Sequence, residues 1–121
     1  MGWKFDASES VSMQIYHRLK RDILTGEYPP GSQFPTVRYL ACEAAVNPNT
    51  MQKAMVMLEE SGLVVGRGTV GRFVTDDEER LSRFRREMQE AHIRRWLEES
   101  RSMGITKEQW YYFLEEKEEE R

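Results

Sequence analysis

The N-terminal part of the chain repeats an apolar residue at every fourth position, which is the spacing of one helix face. The repeat comprises Val11, Ile15, Leu19 and Ile23, with Tyr16 alongside. Ser8 and Ser10 precede it as candidate N-caps, and Gly26 follows it as a helix stop. We therefore predict a first helix over residues 11–25.

A second, shorter helix is predicted over residues 37–44, after the turn at residues 28–32. Thr36 suits its N-cap, because a threonine side chain accepts a hydrogen bond from the first helical turn. Arg38 points outward from that turn. The residues that can face a core are Val37, Leu40 and Ala41.

A third helix is predicted over residues 48–61, with Asn47 as N-cap, Pro48 at the first helical position and Gly62 at the end. Its candidate core residues are Ala54, Val56, Met57 and Leu58. Its first turns are polar instead, with Asn49, Thr50, Gln52 and Lys53. A helix, a tight turn and a polar-fronted helix follow one another in the order of a helix-turn-helix.

The polar start of the third helix is suited to duplex DNA. Asparagine and glutamine can pair bidentately with adenine edges, and threonine and lysine can reach phosphate. The alternative is an ordinary solvated helix start without a partner.

Beyond Gly62 the pattern changes from helical to extended. Residues 63–65 and 72–75 are predicted as two strands of a hairpin, or wing, joined by a glycine-rich tip. The glycines keep the tip open so that Arg67, and also Arg72, can approach a phosphate backbone or a minor groove. The alternative is a surface hairpin that contacts nothing.

The same glycines spell G-x-G-x-x-G, the fingerprint of a dinucleotide site. Such a site needs a helix that starts at the glycines and a βαβ unit around them. Because residues 72–75 continue as a strand, the fingerprint is not favoured and no cofactor is expected.

At the other end of this region, Trp3-Lys4-Phe5 alternates apolar and polar residues and can pair as an edge strand.

The tail, residues 76–121, is predicted to form two helices separated at residues 103–105. Acidic residues 76–79 suit the start of the first helix, and residues 106–109 form a capping box for the second. Because two helices cannot enclose a core, we expect a second copy of the pair to cover their apolar faces. The candidate dimerisation residues are Leu81, Phe84, Met88, Trp96, Leu97, Trp110, Phe113 and Leu114.

Two alternatives remain for these faces. The tail can fold back onto its own N-terminal domain, or Trp96, Trp110, Tyr111 and Tyr112 can enclose a small molecule. The sequence does not identify an effector, and the charged end at residues 115–121 is expected to be solvated or frayed.

Composition changes this picture little. The 121 residues are 39% hydrophobic and 32% charged, which allows one modest core and an appendage. Without a signal peptide or a membrane-spanning apolar run, the chain is expected to be cytoplasmic. Cys42 is the single cysteine, in apolar surroundings that predict a buried thiol, and His17 and His92 lie far apart. No metal site or enzyme constellation is therefore predicted.

The charge is unevenly distributed along the chain. Residues 1–75 carry 8 Lys/Arg against 7 Asp/Glu, whereas residues 76–121 carry 10 against 14. The net charge of −3 therefore belongs to the tail. It does not exclude a nucleic-acid partner for the N-terminal region.

Several segments, in this order, resemble the winged helix-turn-helix domain of GntR-family bacterial transcription regulators. They are Gln14-Ile15-Tyr16, Ile23 to Gly26, Pro29 to Ala41, Asn47 to Thr50, and Leu58 to Val64. The brief tail resembles the short-tailed YtrA-like subgroup. The resemblance implies operator binding as a homodimer, with DNA contacts from Thr36, Arg38, Asn47, Asn49, Thr50, Gln52 and Lys53 and from the wing-tip residues Arg67, Gly68, Thr69 and Gly71.

The chain departs from the family pattern at three places. Pro48 stands where many relatives place an arginine that reads guanine, so their base preference does not transfer. Ala45 stands where the family turn usually has glycine, and a positive φ there would cost on the order of 1 kcal/mol. The wing, Val70-Gly71-Arg72-Phe73-Val74, lacks the relatives' paired basic residues and their Gly-Thr-Phe-Val ending.

We therefore predict a mainly α fold with a small β-wing. Residues 1–75 would form a winged helix-turn-helix DNA-binding domain, and residues 76–121 a helical dimerisation tail. The predicted function is that of a sequence-specific transcription regulator, a repressor that binds an inverted-repeat operator as a homodimer. The alternative from another class is a winged-helix protein-interaction module without specific DNA binding.

Overall fold

A computed structural model describes residues 2–119 of the chain, and residues 120 and 121 of the charged end lie outside the described part. The helices are α1 Val11–Leu24, α2 Val37–Ala44, α3 Pro48–Ser61, α4 Glu78–Ser102 and α5 Lys107–Glu119. The strands are β1 Val64–Gly66 and β2 Arg72–Val74, which pair antiparallel. The predicted fold class, mainly helical with a small wing, is confirmed.

The chain divides into two compact units, Met1–Arg85 and Arg86–Arg121. The division falls inside α4, later than the predicted domain boundary after residue 75. The first unit contains α1 to β2 and the start of α4, and the second contains the rest of α4 and α5.

Helix α1 begins where its cap was predicted. The Ser10 side chain accepts a hydrogen bond from the backbone N–H of Met13 at 3.2 Å, and Thr25 is the C-cap. The predicted stripe supplies three buried residues, Ile15, Leu19 and Ile23, but Val11 at its start is exposed. Residues 2–10, the described part of the segment before α1, contain no strand. Instead, the backbone N–H of Trp3 donates to the carbonyl of Ala44 at 3.2 Å, so the predicted edge strand at residues 3–5 is wrong.

Helix α2 ends in a left-handed residue that is not glycine. Thr36 caps its start, with the hydroxyl oxygen accepting the N–H of Tyr39 at 3.1 Å. At its end Ala45 has φ 56° and ψ 48°, and its N–H donates to the carbonyls of Ala41 and Cys42. The positive φ considered from the sequence is therefore present, with an alanine at the position where a left-handed cap prefers glycine.

Two burial predictions are wrong in this region. Cys42 is exposed, because it lies on α2 away from the buried side formed by Leu40, Ala41 and Ala44. On α3 the buried residues are Met51, Ala54, Met55 and Leu58, which follow the i, i+3, i+4, i+7 spacing of one face. This spacing leaves Val56 40% exposed, so it is not a core residue, and Met57 is only half-buried.

The start of α4 belongs to the core of the first unit. The Asp77 side chain accepts the N–H of Arg80 at 3.1 Å, and one turn later Leu81 is fully buried. The Arg85 guanidinium donates to the carbonyl of Leu24 at 2.9 Å. Leu81 therefore has no surface left for a second chain, which corrects its inclusion among the dimerisation residues.

The second unit is a helix pair closed by the predicted turn. Thr106 and Gln109 form the capping box, in which the backbone N–H of Thr106 donates to the Gln109 side chain at 2.8 Å and the backbone N–H of Gln109 to the Thr106 hydroxyl at 3.2 Å. The rings of Trp96 on α4 and Trp110 on α5 lie 4.2 Å apart between centroids. Among the described helices, none is long and apolar enough to cross a membrane.

The strain at Ala45 leads to a stability prediction. Ala45→Gly should raise the free energy of unfolding by about 0.5–1 kcal/mol, because relief of a left-handed alanine, about 1–2 kcal/mol, exceeds the entropy that glycine adds to the unfolded chain. Urea unfolding would measure it. Ala44→Gly is the matched control, since Ala44 is buried in regular helix and its loss should lower stability by about 1 kcal/mol or more. A less stable Ala45→Gly protein would contradict the prediction.

Candidate nucleic-acid interface

The start of α3 is a polar surface whose first residues also hold the helix end. The side-chain oxygen of Asn47 accepts a hydrogen bond from the backbone N–H of Asn49 at 2.8 Å, and Pro48 occupies the first turn. The side chains of Asn49, Gln52 and Lys53 are exposed, while Thr50 is half-buried. Because the opposite side of α3 is core, these exposed groups are held on a rigid element, as base readout requires.

The start of α2 contributes a cation and a second cap. Arg38 is exposed in the first turn, whereas the Thr36 oxygen is engaged by the N–H of Tyr39. The Tyr39 hydroxyl donates to the Glu43 carboxylate at 2.8 Å, and this hydrogen bond is the largest cause that raises the pKa of Tyr39 above its usual value. The Tyr39 phenol therefore has its hydrogen-bond partner on α2 itself, one turn further along the helix.

The wing has a short 3₁₀ turn at its tip, which the sequence did not predict. This turn spans Gly68–Val70, and the N–H of Arg67 closes the tip by donating to the carbonyl of Gly71 at 2.8 Å. Gly68 and Gly71 have φ of 58° and 117°, a region that favours glycine. The Arg67 guanidinium lies over the Phe73 ring, 4.7 Å from its centroid, on the exposed side of the hairpin. The two glycines thus shape the tip, and Arg67 supplies its charge.

Residues 31–34 attach the wing to the rest of the first unit. The N–H of Phe34 donates to the carbonyl of Arg72 at 2.7 Å, and the N–H of Val74 donates to the carbonyl of Ser32 at 2.9 Å. Between them, the Gln33 side chain donates to the carbonyl of Val70 at 3.0 Å. Sequence analysis did not select Gln33, because its partner is distant in the chain and no local pattern marks the pairing.

Arg72 was predicted as a possible phosphate contact, and it has a partner within the first unit. Its Nε–H donates to the Glu59 carboxylate on α3, forming an ion pair between the wing and α3. The two side chains are 25% and 36% exposed, respectively. Glu59 was also missed from the sequence, where it resembles any charged residue near a helix end.

A groove of about 510 Å³ brings the start of α2 together with the wing. The predicted site residues that line it are Thr36, Arg38, Gly68, Thr69 and Gly71. Arg72 and Glu59 line it as well. Of the other predicted site residues, Arg67 lies beside it at the wing tip, and Asn47, Asn49, Thr50, Gln52 and Lys53 form a separate surface on α3. In the described part of the chain, no group of three or more His, Cys, Asp or Glu residues could hold a metal ion.

A protein-family model described as "Bacterial regulatory proteins, gntR family" matches residues 11–74, more than half of the chain. The chain belongs to the GntR family. It is 26% identical over 106 residues to the transcriptional regulator YhcF of Bacillus subtilis, with 88% of each chain covered. It is 39% identical over 66 residues to the repressor YtrA of the same organism, covering 52% of this chain and 51% of YtrA. The predicted family is confirmed, and the similarity to YtrA agrees with the predicted subgroup.

Solved structures give the same assignment. A GntR-family transcriptional regulator from Listeria monocytogenes is similar with a TM-score of 0.81 and 29% identity, covering 93% of this chain and 98% of that one. The AraR DNA-binding domain in complex with an operator is similar with a TM-score of 0.53 and 25% identity, covering 60% and 93%. The chain is accordingly a transcription regulator with a DNA-binding domain, and not an enzyme.

Asn47 caps α3 and was also predicted to contact DNA, which leads to a prediction that separates folding from binding. Asn47→Ala should lower the free energy of unfolding by about 0.5–2 kcal/mol, because the N–H of Asn49 loses its acceptor. Asn47→Asp should keep the cap and the stability but weaken DNA binding, because it adds a negative charge next to phosphates. Urea unfolding and fluorescence anisotropy with labelled duplex would measure the two effects. Asn49→Ala is the control, with stability expected within about 0.5 kcal/mol of the parent. Equal stability of Asn47→Ala and the parent would refute the capping role.

Proposed function

We propose that this GntR-family regulator is a cytoplasmic repressor that occupies an inverted-repeat operator as a homodimer. The observation that carries the proposal is the exposed polar surface of α3, formed by Asn49, Gln52 and Lys53 on a helix whose other side is buried. A relative named as a repressor and a neighbour solved with its operator support it.

The proposed contacts fall into two groups. Asn49 and Gln52 read base edges in the major groove, because their amides offer a donor and an acceptor together. The remaining residues contact the phosphate backbone or the minor groove. These contacts position the protein on the duplex and carry little sequence information. These residues are Thr36, Arg38, Asn47, Thr50, Lys53, Arg67, Gly68, Thr69 and Gly71. The DNA-binding role is assigned to residues 1–75.

The base-reading group generates the first test. Asn49→Ala and Gln52→Ala should each lower operator affinity by about 1–3 kcal/mol per lost base contact, while non-specific affinity survives. The operator would first be located by footprinting the DNA upstream of the protein's own gene. Gln89→Ala removes an exposed amide from α4 and should change neither affinity. Wild-type footprints by both α3 variants would mean that α3 does not read the operator.

The backbone group behaves differently under salt. Arg38→Ala and Lys53→Ala should weaken binding to all sequences alike, and each should reduce the slope of log affinity against log salt by about one. Arg21→Ala is the matched control, since it removes an exposed cation from α1 outside the proposed interface. Unchanged slopes for both site variants would exclude them as phosphate contacts.

The tail is proposed as the dimerisation element, because its described part exposes a large apolar surface. Ile93, Trp96 and Leu97 on α4 are 50%, 45% and 42% exposed. On α5, Tyr111, Tyr112 and Leu114 are 58%, 69% and 48% exposed. Surfaces of this kind on a small protein mark interaction sites, and a second copy presents the same surface around a two-fold axis. Met88, Trp110 and Phe113 remain proposed members of this face, and Phe84 of the first unit remains a proposed dimerisation residue.

The dimer is tested with two charged substitutions one turn apart, Ile93→Glu and Leu97→Glu. Each should convert the protein to a monomer, because an unpaired carboxylate would be buried in the interface. Affinity for DNA with two half-sites should fall on the order of 10²-fold, since the second domain loses its high effective concentration. Affinity for one half-site should not change.

Arg95→Gln is the control for this test. It alters the net charge by the same amount on the side of α4 away from Ile93 and Leu97, and should leave a dimer. Light scattering gives the mass, and circular dichroism checks that the helices persist. A monomeric parent protein, or charged variants that bind two half-sites as tightly as the parent, would exclude the dimer and favour a tail with another partner.

A further inference from the structure

Arg72 is held more firmly than other cations of the proposed interface. On one side of β2 it pairs with Gly66 of β1, and on the other its carbonyl accepts the N–H of Phe34 at 2.7 Å. Its backbone is therefore fixed between two neighbouring segments. The guanidinium is fixed as well, through the Nε–H that donates to Glu59.

Glu59 meets Arg72 beside the neighbouring strand β1, at ordinary contact distance from Gly66. Gly66 stands opposite Arg72 in the hairpin, and a Cβ placed on Gly66 would lie 3.7 Å from a Glu59 carboxylate oxygen. The contact with Glu59 uses only the Nε–H of Arg72. Both Nη amino groups thus remain able to donate to a further anion, and a guanidinium can do so with two parallel hydrogen bonds.

The surroundings of the pair indicate which anion this is. Arg72 lines the same groove as Arg38, whose exposed guanidinium comes from the start of α2. Glu59 is the one acidic residue among the described residues that line the groove. Because the Glu59 charge is paired with Arg72, the positive charge of Arg38 and the Nη donors of Arg72 remain available in the groove. Together they fit one phosphate group of a DNA backbone.

We propose that Glu59 is a positioning residue that holds Arg72 so that Arg72 and Arg38 together bind one backbone phosphate between α2 and the wing. An arginine already fixed in its binding orientation loses less side-chain freedom when it meets the phosphate. This inference rests on the proposed function, because it assigns a further contact to the same DNA-binding surface.

A different role for Glu59 predicts the opposite sign. If the carboxylate only competes with phosphate for Arg72, its removal frees a cation and tightens DNA binding. If it positions Arg72, its removal weakens binding even though a negative charge leaves the interface. The neutral variant Glu59→Gln therefore distinguishes the two roles by the direction of the change in affinity.

The experiment titrates the full-length protein on operator duplex at several salt concentrations. Glu59→Gln should weaken binding roughly threefold to tenfold and reduce the salt slope by up to about one, as loss of one phosphate contact requires. Glu60→Gln is the matched control, because it makes the same charge change at the next, exposed position and should not weaken binding. Arg72→Gln should weaken binding like Glu59→Gln, and the double variant should add no further loss.

Arg72→Lys provides the second test, which holds if Glu59→Gln fails to fold. It keeps the charge but removes the Nε–H that Glu59 engages and the paired Nη donors, and should weaken binding to a similar extent. Overturning results are a Glu59→Gln protein that binds as tightly as the parent or tighter, additive losses in the double variant, or a folded Arg72→Lys protein with parental affinity. Failure of the parent to bind duplex with a salt dependence would instead refute the proposed function itself.

Discussion

The burial of one face of α3 is the interaction on which the rest of the first unit depends. Met51, Ala54, Met55 and Leu58 are removed from solvent where α3 packs against α1 and α2. Each of the larger side chains contributes about 1.5–3 kcal/mol of transfer free energy. Because this stripe sets the rotation of α3, it also determines which residues point outward. The polar surface at the start of α3 is thus a consequence of apolar packing on its other side.

Features governed by neighbouring residues could be predicted from the sequence. The caps at Ser10, Thr36 and Asn47 and the capping box at Thr106 are local hydrogen bonds with characteristic residue types, and all of them form. Burial was harder to predict. Val56 was taken as core because it is apolar, yet its place in the helical period directs it outward. That prediction relied on the apolar side chain of Val56 and not on its position in the helical period, although the position decides whether a helical residue is buried.

Features that join distant segments could not be predicted. Gln33 and Val70, or Glu59 and Arg72, carry no signal until the fold brings them together. Leu81 shows the same limit from another direction, since it belongs to an apolar stripe that was predicted to meet a second chain, yet it is fully buried in the first unit. Periodicity identifies an apolar face without identifying what covers it. For the candidate site, residue types on α3 could be named in advance, whereas the groove between α2 and the wing could not.

Asn47, the cap of α3, tolerates fewer substitutions than the exposed amides Asn49 and Gln52. Asn47 accepts a hydrogen bond that α3 needs, so most replacements there carry a folding penalty. Asn49 and Gln52 project from the helix into solvent. Substitutions at these two positions leave the packing of α3 intact. New side chains can therefore arise there without compensating mutations elsewhere. If these two side chains read base edges as proposed, the DNA that the protein recognises can therefore change by single substitutions, each of which passes through a folded protein.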